Sequence, residues 1–302
     1  MIQNTIKTNA ISLTVLDYGA IIQKLIVKDK NGKPTNMVLG FEHPEDYLNN
    51  PMYLGACIGR YAGRIANEGI ALEDKKYPIH ADKGVHLHGG IEGFDKKYFT
   101  VDEVSHGDTP FIKLSYTSPD MEEGYPGNLN VTITYTLIND TLQITHEAQT
   151  DKTTVINLTN HSYFKIDTED SINGYELTLD CEEILETHDN LVPTGNFLKV
   201  KNTKYDFLNM TRIGDTRLDT PFSISHKKEY TACLHSPISG ISLNVKTNQP
   251  AVVIYTPEEK PSICFETQNF PDAPNHSNFP SSILKPGEQY KNESFFKFTT
   301  QL

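Results

Sequence analysis

Apolar and polar residues alternate along much of this chain with the period of two that is typical of β-strands. The clearest run is 129–137, in which every second residue is apolar, and 142–147 returns after the Asn139-Asp140 turn. Asn31-Gly32 is a second strong hairpin signal. No long amphipathic helix is indicated, and 44–48 predicts a single helical turn. The pattern therefore predicts an all-β fold, a sandwich or a barrel.

Two further stretches predict particular strands. The β-branched run 153–156 indicates a buried strand that leads into the polar residues around His161. The apolar segments 241–245 and 251–255 predict a hairpin that turns at 248–250.

Length and composition narrow the class of protein. The 302 residues contain no internal repeat, low-complexity tract or linker, so we expect one domain over 1–302. The net charge of -12 argues against nucleic acid or an anionic membrane as a partner, and it suits a neutral small substrate. The N-terminus has no apolar signal region and no apolar run is long enough to span a membrane, so we expect a soluble, cytoplasmic protein.

The four cysteines are widely spaced and form no C-x-x-C motif. Dense disulfide frameworks belong mostly to small secreted domains. We therefore expect these cysteines to be reduced and mostly buried.

Two residues are candidates for proton transfer. His161 follows an apolar strand, and a histidine with its ordinary pKa of about 6.5 donates protons near neutrality. A structural histidine, hydrogen-bonded inside a β core, is the competing interpretation. Glu266 lies in the apolar stretch 262–268, where an acid either faces solvent or is a costly feature of a cleft.

Arginine and histidine residues near the first quarter of the chain allow further interpretations. Arg60 and Arg64 lie among apolar residues, where a buried guanidinium needs acceptors. We expect Arg60 to anchor a loop through a salt bridge, and Arg64 either forms a structural salt bridge too or has a functional role. His86 and His88 share one strand face and could begin a zinc site, but no third ligand is arranged nearby, so we expect no metal.

Five motifs in order make the chain resemble the aldose 1-epimerase (galactose mutarotase) family over nearly its whole length. They are Gly59-Arg60-Tyr61-Ala62-Gly63-Arg64-Ile65, Leu87-His88-Gly89-Gly90, Glu123-Gly124-Tyr125-Pro126-Gly127, Asn157 to Phe164 and Phe265-Glu266-Thr267-Gln268-Asn269. The resemblance implies a large antiparallel β-sandwich of the galactose mutarotase-like supersandwich type with few short helices. It also implies an open sugar-binding cleft and no metal or nucleotide cofactor.

The resemblance further implies a mutarotase that interconverts the α and β anomers of a free aldose such as D-galactose or D-glucose. Glu266 matches the base at the anomeric hydroxyl, and His161 matches the acid at the ring oxygen. Arg64, His88 and Asp219 match residues that hold the sugar, although Thr220-Pro221 after Asp219 departs from the usual family pattern. Ring opening needs one proton removed and one delivered, which a carboxylate and an imidazolium supply. We expect nearby carboxylates to raise the pKa of His161.

Two other functions are compatible with the same residues. A glycoside hydrolase could use Asp219 and Glu266 as its carboxylate pair. A sugar-binding module needs aromatic residues and hydrogen bonds but no acid–base pair. The preferred sugar is left open, as is the choice between a monomer and a homodimer.

Overall fold

The computed structural model describes residues 1–66 and 69–300. Its regular structure consists of β-strands with four short 3₁₀ helices. The first strands are β1 (Gln3–Lys7), β2 (Ile11–Leu16), β3 (Ile22–Lys28), β4 (Pro34–Asn36), β5 (Cys57–Ile58), β6 (Arg64–Ala66), β7 (Gly69–Leu72), β8 (Lys75–Pro78), β9 (Val85–Leu87), β10 (Thr100–Ser105), β11 (Phe111–Ser118), β12 (Leu129–Ile138) and β13 (Thr141–Thr150). The remaining strands are β14 (Thr154–Val155), β15 (Thr159–Asn160), β16 (Tyr163–Phe164), β17 (Glu176–Leu179), β18 (Glu183–Thr187), β19 (Pro193–Lys199), β20 (Thr211–Arg212), β21 (Asp219–Ser223), β22 (Ala232–His235), β23 (Ile241–Thr247), β24 (Ala251–Tyr255), β25 (Ile263–Gln268), β26 (Ile283–Leu284) and β27 (Tyr290–Thr300). The helices are Pro44–Asn49, Phe94–Lys96, Glu122–Gly124 and Ala273–Asn275.

Two large sheets dominate the architecture. One has nine strands in the order β10-β11-β12-β13-β27-β23-β22-β17-β20, and the other has six in the order β16-β25-β24-β21-β18-β19. The pairings within both sheets are antiparallel. A smaller sheet, β1-β2-β3-β4, covers part of the core. The predicted all-β, large antiparallel β-sandwich is therefore confirmed.

The main core lies between the two large sheets. Along β12, residues of alternating position are fully buried, as the sequence pattern predicts. From the six-stranded sheet, Phe265 and Phe222 enter the same core. Phe164 stacks on Phe296 of the nine-stranded sheet with ring centroids 5.4 Å apart. These aromatic contacts pack the inner face of the six-stranded sheet into the core, so alternate residues of its strands point to the opposite face.

The structure corrects two strand predictions. The segments 241–245 and 251–255 do not form a hairpin, because β23 pairs in the nine-stranded sheet and β24 pairs in the six-stranded sheet. The turn between them carries the chain from one sheet to the other. The strand predicted over 153–156 is also shorter than expected, since only Thr154–Val155 is a strand and it pairs with β26.

Three further observations concern the sequence expectations. The four cysteines are free, and three of them are buried. Asn31-Gly32 forms the predicted turn, with Gly32 at φ +77° between β3 and β4. Among residues 1–66 and 69–300, no helix is long and apolar enough to cross a membrane.

Candidate active site

The outer face of the six-stranded sheet forms the floor of a cleft. Strand β25 presents Cys264 and Glu266 to this face, because residues two apart point the same way. Register places Val253 opposite Glu266 and Tyr255 opposite Cys264. Asp219 on β21 lies opposite Tyr255. Adjacent strands thus bring together side chains that are up to 47 residues apart in the sequence.

The opposite wall of the cleft comes from the segment that ends in β6 and from the turn after β9. Arg64 pairs with Leu87 across these strands, which places His88 beside Gly63. The chain turns sharply here because His88, Gly89 and Gly90 all have positive φ angles. A Cβ atom at position 89 would lie 1.8 Å from the carbonyl oxygen of Gly59, so only glycine fits. The paired glycines therefore fix the position of His88.

His161 is held by its backbone at the base of the cleft. Its N–H donates to the Ala56 carbonyl at 2.8 Å, and its carbonyl accepts from the Gly55 N–H at 3.0 Å. The imidazole stacks on Tyr163, with centroids 5.0 Å apart, and meets Tyr255 edge-on. The ring is therefore fixed on several sides, and His161 is only 3% exposed.

The five residues singled out from the sequence all line one cavity. Nε2 of His161 lies 3.5 Å from Oε1 of Glu266. Arg64 and Asp219 form an ion pair of 3.3 Å, and both are partly exposed. The cavity has a volume of about 210 Å³, which is smaller than the ~300–1,000 Å³ of pockets for drug-sized ligands. It suits a molecule the size of one sugar ring.

Burial perturbs both candidate proton-transfer groups. Glu266 is 3% exposed, and burial, reinforced by the charge of Asp219, raises its pKa to about 8, while Arg64 opposes this rise. Of the two alternatives that the sequence left open for Glu266, the structure shows the buried cleft residue and not the solvent-facing one. Burial also lowers the pKa of His161 to about 4, with a small opposing effect from its own backbone carbonyl. The expectation of a raised pKa for His161 is wrong. Burial dominates, and Glu266, with its own pKa raised to about 8, carries no charge at the pH where His161 titrates.

His88 completes a cluster that has the composition of a metal site. His88, His161 and Glu266 each offer one ligand atom, and these atoms all lie within 4.8 Å of one another. However, the Gly63 N–H donates to Nδ1 of His88 at 3.2 Å. Burial, followed by the charges of His161 and Arg64, lowers the pKa of His88 well below its ordinary value, so the neutral ring carries its proton on Nε2. A metal at either nitrogen would have to displace that proton or break the Gly63 bond. The arrangement favours His88 as a hydrogen-bond donor.

Arg60 lies outside the cleft and has a different environment from Arg64. It is 2% exposed, and its guanidinium donates to Oγ of Ser118 and to the carbonyls of Ser118, Pro119, Tyr125 and Pro126. The expected anchoring role is borne out, but the expected salt bridge is not. Uncharged carbonyl oxygens satisfy most of its donors, which is one way to bury a guanidinium.

The structure adds cleft residues that were not singled out from the sequence. Tyr53 contacts both His88 and His161, with centroids 5.0 and 5.9 Å away. Tyr255 and Cys264 also contact His161. The alternation around Glu266 could have identified Cys264, which is two residues away. No local pattern marks Tyr53, because it reaches the cleft from a loop.

The arrangement defines a class of protein. A buried carboxyl and an imidazole lie close together in a sugar-sized cleft, with an ion pair and a histidine donor around them. Such groups suit general acid–base chemistry on a small polyhydroxyl molecule.

Comparisons with known proteins specify this class further. The family model for aldose 1-epimerase matches residues 3–297. Galactose mutarotase from Bos taurus is 36% identical, with 97% of this chain and 93% of the relative covered. Aldose 1-epimerase from Escherichia coli is 30% identical over 98% of this chain and 95% of the relative.

Solved structures of similar fold point to the same family. A GalM/aldose epimerase homologue from C. elegans superposes with a TM-score of 0.93 at 27% identity, covering 100% of both chains. Galactose 1-epimerase from Lactobacillus acidophilus gives a TM-score of 0.88 at 28% identity, covering 99% of this chain and 95% of the other. The chain belongs to the aldose 1-epimerase family, as its motifs indicated. It is an isomerase that interconverts the anomers of aldoses.

Proposed function

We propose that the substrate is a free monosaccharide such as D-galactose or D-glucose, with Glu266 as the base and His161 as the acid. The observation that carries this proposal is the 3.5 Å separation between Oε1 of Glu266 and Nε2 of His161 inside a buried cavity. The anomeric hydroxyl oxygen and the ring oxygen are bonded to the same carbon. Two neighbouring catalytic atoms can therefore reach both oxygens at once.

The reacting form of the pair has a carboxylate at Glu266 and an imidazolium at His161, and with pKa values of about 8 and about 4 it is the minor tautomer of the one-proton pair. Glu266 accepts the proton of the anomeric hydroxyl, the bond between C1 and the ring oxygen breaks, and Nε2–H of His161 protonates that oxygen. The product is the open-chain aldehyde, facing a neutral carboxylic acid and a neutral imidazole. After rotation about the C1–C2 bond, the hydroxyl group that contains the former ring oxygen attacks the other face of the aldehyde. Both protons then return to their starting groups.

Arg64, His88 and Asp219 are proposed to hold the remaining hydroxyls. Arg64 and Asp219 present charged donors and acceptors near the cleft mouth, with side chains 24% and 32% exposed. His88 offers Nε2–H, because the Gly63 N–H occupies Nδ1. The aromatic rings of Tyr53 and Tyr255 provide apolar surface for the carbon face of a sugar.

The two alternative functions have weaker support. A hydrolase would need Asp219 as a free catalytic carboxyl, whereas Asp219 is paired with Arg64 and the close partner of Glu266 is a histidine. A binding module has no need of a buried acid–base pair.

Polarimetry with fresh α-anomers of galactose, glucose, xylose and maltose tests the proposal. We expect acceleration over buffer for at least one monosaccharide, and rates equal to buffer for all four sugars would refute it. Release of phenol from aryl glycosides would instead favour the hydrolase.

We also propose a single-domain chain that works in the cytoplasm as a monomer or homodimer, without nucleic acid or membrane partners. The net charge of -12 supports the absence of polyanionic partners. Light scattering on the purified chain measures the oligomeric state, and a larger assembly would contradict this proposal.

A further inference from the structure

The imidazole of His161 has a neighbour at each ring nitrogen. Nε2 faces Glu266, and Nδ1 lies 3.7 Å from Sγ of Cys264. Both neighbours belong to β25 and share its cleft face. Cys264 is fully buried, and burial raises the pKa of its thiol well above the ordinary value, so the sulfur stays uncharged. A thiol sulfur is a weak hydrogen-bond acceptor as well as a weak donor.

The proposed reaction restricts which tautomer His161 can adopt. Only Nε2 faces Glu266 and the reacting oxygens, so this nitrogen must lose and recover the proton. A neutral imidazole carries one ring proton. When Nε2 is bare, the remaining proton must therefore be on Nδ1. The group beside Nδ1 has to accept an N–H in both halves of the reaction.

We propose that Cys264 is a positioning residue whose sulfur accepts the Nδ1–H of His161 and so holds the ring in the tautomer that leaves Nε2 free for proton transfer. This inference rests on the proposed roles of His161 and Glu266. The backbone carbonyl of His161, which also accepts from the Gly55 N–H, is the competing acceptor near the ring, and variants of Cys264 separate the two. The sulfur is the side-chain partner found at Nδ1 in the described part of the chain.

An uncharged, weak acceptor has a second consequence. A carboxylate beside Nδ1 would stabilise the imidazolium and make it a weaker acid. Sulfur fixes the tautomer with little such stabilisation, which agrees with the lowered pKa of His161. The imidazolium therefore remains acidic enough to protonate a weakly basic ring oxygen.

A substitution of Cys264 leaves the chemical identity of the other groups around this ring unchanged. The titratable or charged groups that face His161 or share its cavity are Tyr53, Arg64, His88, Tyr163, Asp219, Tyr255 and Glu266. A shift in a Cys264 variant therefore reports the changed partner at Nδ1.

The test compares Cys264→Ser, Cys264→Ala and wild type, with Cys181→Ala as the control for loss of a buried thiol elsewhere. In Cys264→Ser, a better oxygen acceptor should move the acid limb of kcat/KM upward by on the order of one pH unit. In Cys264→Ala, kcat should fall about tenfold while KM changes less than about twofold, since substrate contacts remain. Cys181→Ala should leave both limbs unchanged.

Nitrogen-15 NMR of histidine-labelled protein reads the tautomer directly, with the His161 signals assigned by their loss in His161→Asn. At pH 6 we expect a protonated Nδ1 in wild type and a shifted Nδ1 signal in both Cys264 variants. A bare Nδ1 in wild type would overturn the proposal. So would unchanged limbs and unchanged ring signals in both variants. If wild type proved inactive on every sugar, the proposed function would fail, and the ring signals would still test the Cys264 contact.

Discussion

In wild type, kcat/KM should depend on pH as a bell. We expect His161→Asn to keep only the rise of kcat/KM with pH, and Glu266→Gln to keep only its fall. The reaction requires one transferable proton on the pair, which His161 carries in the reacting tautomer and Glu266 carries after ring opening. A form with two protons has no base, and a form with none has no acid. The rate constant kcat/KM therefore follows the fraction of free enzyme whose pair holds one proton.

The structure gives the width of that bell. With the pair titrating at about 4 and about 8, the one-proton form makes up about 98% of the enzyme at pH 6. It falls to about half at pH 4 and pH 8 and to about a tenth at pH 9. Each variant removes one member and leaves the other to titrate near its own value. Residual activity of His161→Asn should rise to a plateau above pH 8, because Glu266 must ionise. Residual activity of Glu266→Gln should fall above pH 4, because His161 must be protonated.

Polarimetry of α-D-galactose between pH 4 and 9, corrected for the buffer-catalysed reaction, measures these profiles. Both variants should lose about 10²–10⁴-fold at the pH optimum. His235→Asn is a matched control, because His235 lies on β22 away from the cavity, and its bell should be unchanged. If His161→Asn kept a near-wild-type rate and the same alkaline limb, His161 would not be the acid. His88 would then become the candidate.

Four variants test the roles of individual residues through stability or kcat/KM. Glu266→Gln should be more stable than wild type in urea at pH 8 but not at pH 4, because the folded-state pKa of about 8 makes ionisation costly above the ordinary value of 4.5; equal stabilities at both pH values would refute this. Arg60→Ala should lose more than about 3 kcal/mol of stability by leaving buried carbonyls unpaired, whereas Arg64→Ala should mainly impair kcat/KM, and the reverse pattern would contradict both assignments. His146, buried with a pKa lowered to about 4, should cost about 3 kcal/mol of stability as pH falls from 6.5 to 4. His146→Leu should remove this share of the loss in urea titrations and leave the shares of His88 and His161, whose pKa values burial also lowers. An undiminished loss in that variant would contradict the assignment to His146.

Much of the fold can be predicted from the sequence because a half-buried strand has apolar residues at every second position, on the face that points to the core. The alternation in 129–137 is an example, since β12 buries each apolar position of that run. The same logic fails between β23 and β24. Both are apolar strands with a polar turn between them, which is also the pattern of a hairpin. Their partners β27 and β25 decide which sheet each joins, and no local pattern specifies these long-range pairings.

Some features of the candidate site were also predictable from the sequence, and others were not. Residue types and motifs were sufficient to select Glu266, His161, Arg64, His88 and Asp219, which the structure brings into one cavity. The sign of the pKa shift of His161 was not predictable, because it depends on how completely distant segments exclude water. Tyr53 and Tyr255 reach the ring from different parts of the chain. Only the assembled cleft shows that burial removes water from the ring and also keeps the neighbouring Glu266 protonated where His161 titrates.

The lowered pKa of His161, together with the raised pKa of Glu266, changes which charge state of the site is stable. In water, a carboxylate and an imidazolium are the stable forms at neutral pH, because the ordinary pKa values are about 4.3 and about 6.5. In this cleft the order is reversed, at about 8 and about 4, and only their attraction over 3.5 Å favours the charged pair. Ring opening converts the charged pair into a neutral acid and a neutral imidazole. The burial that makes Glu266 a stronger base and His161 a stronger acid therefore favours the step in which both groups lose their charge, and reclosure restores them for the next sugar.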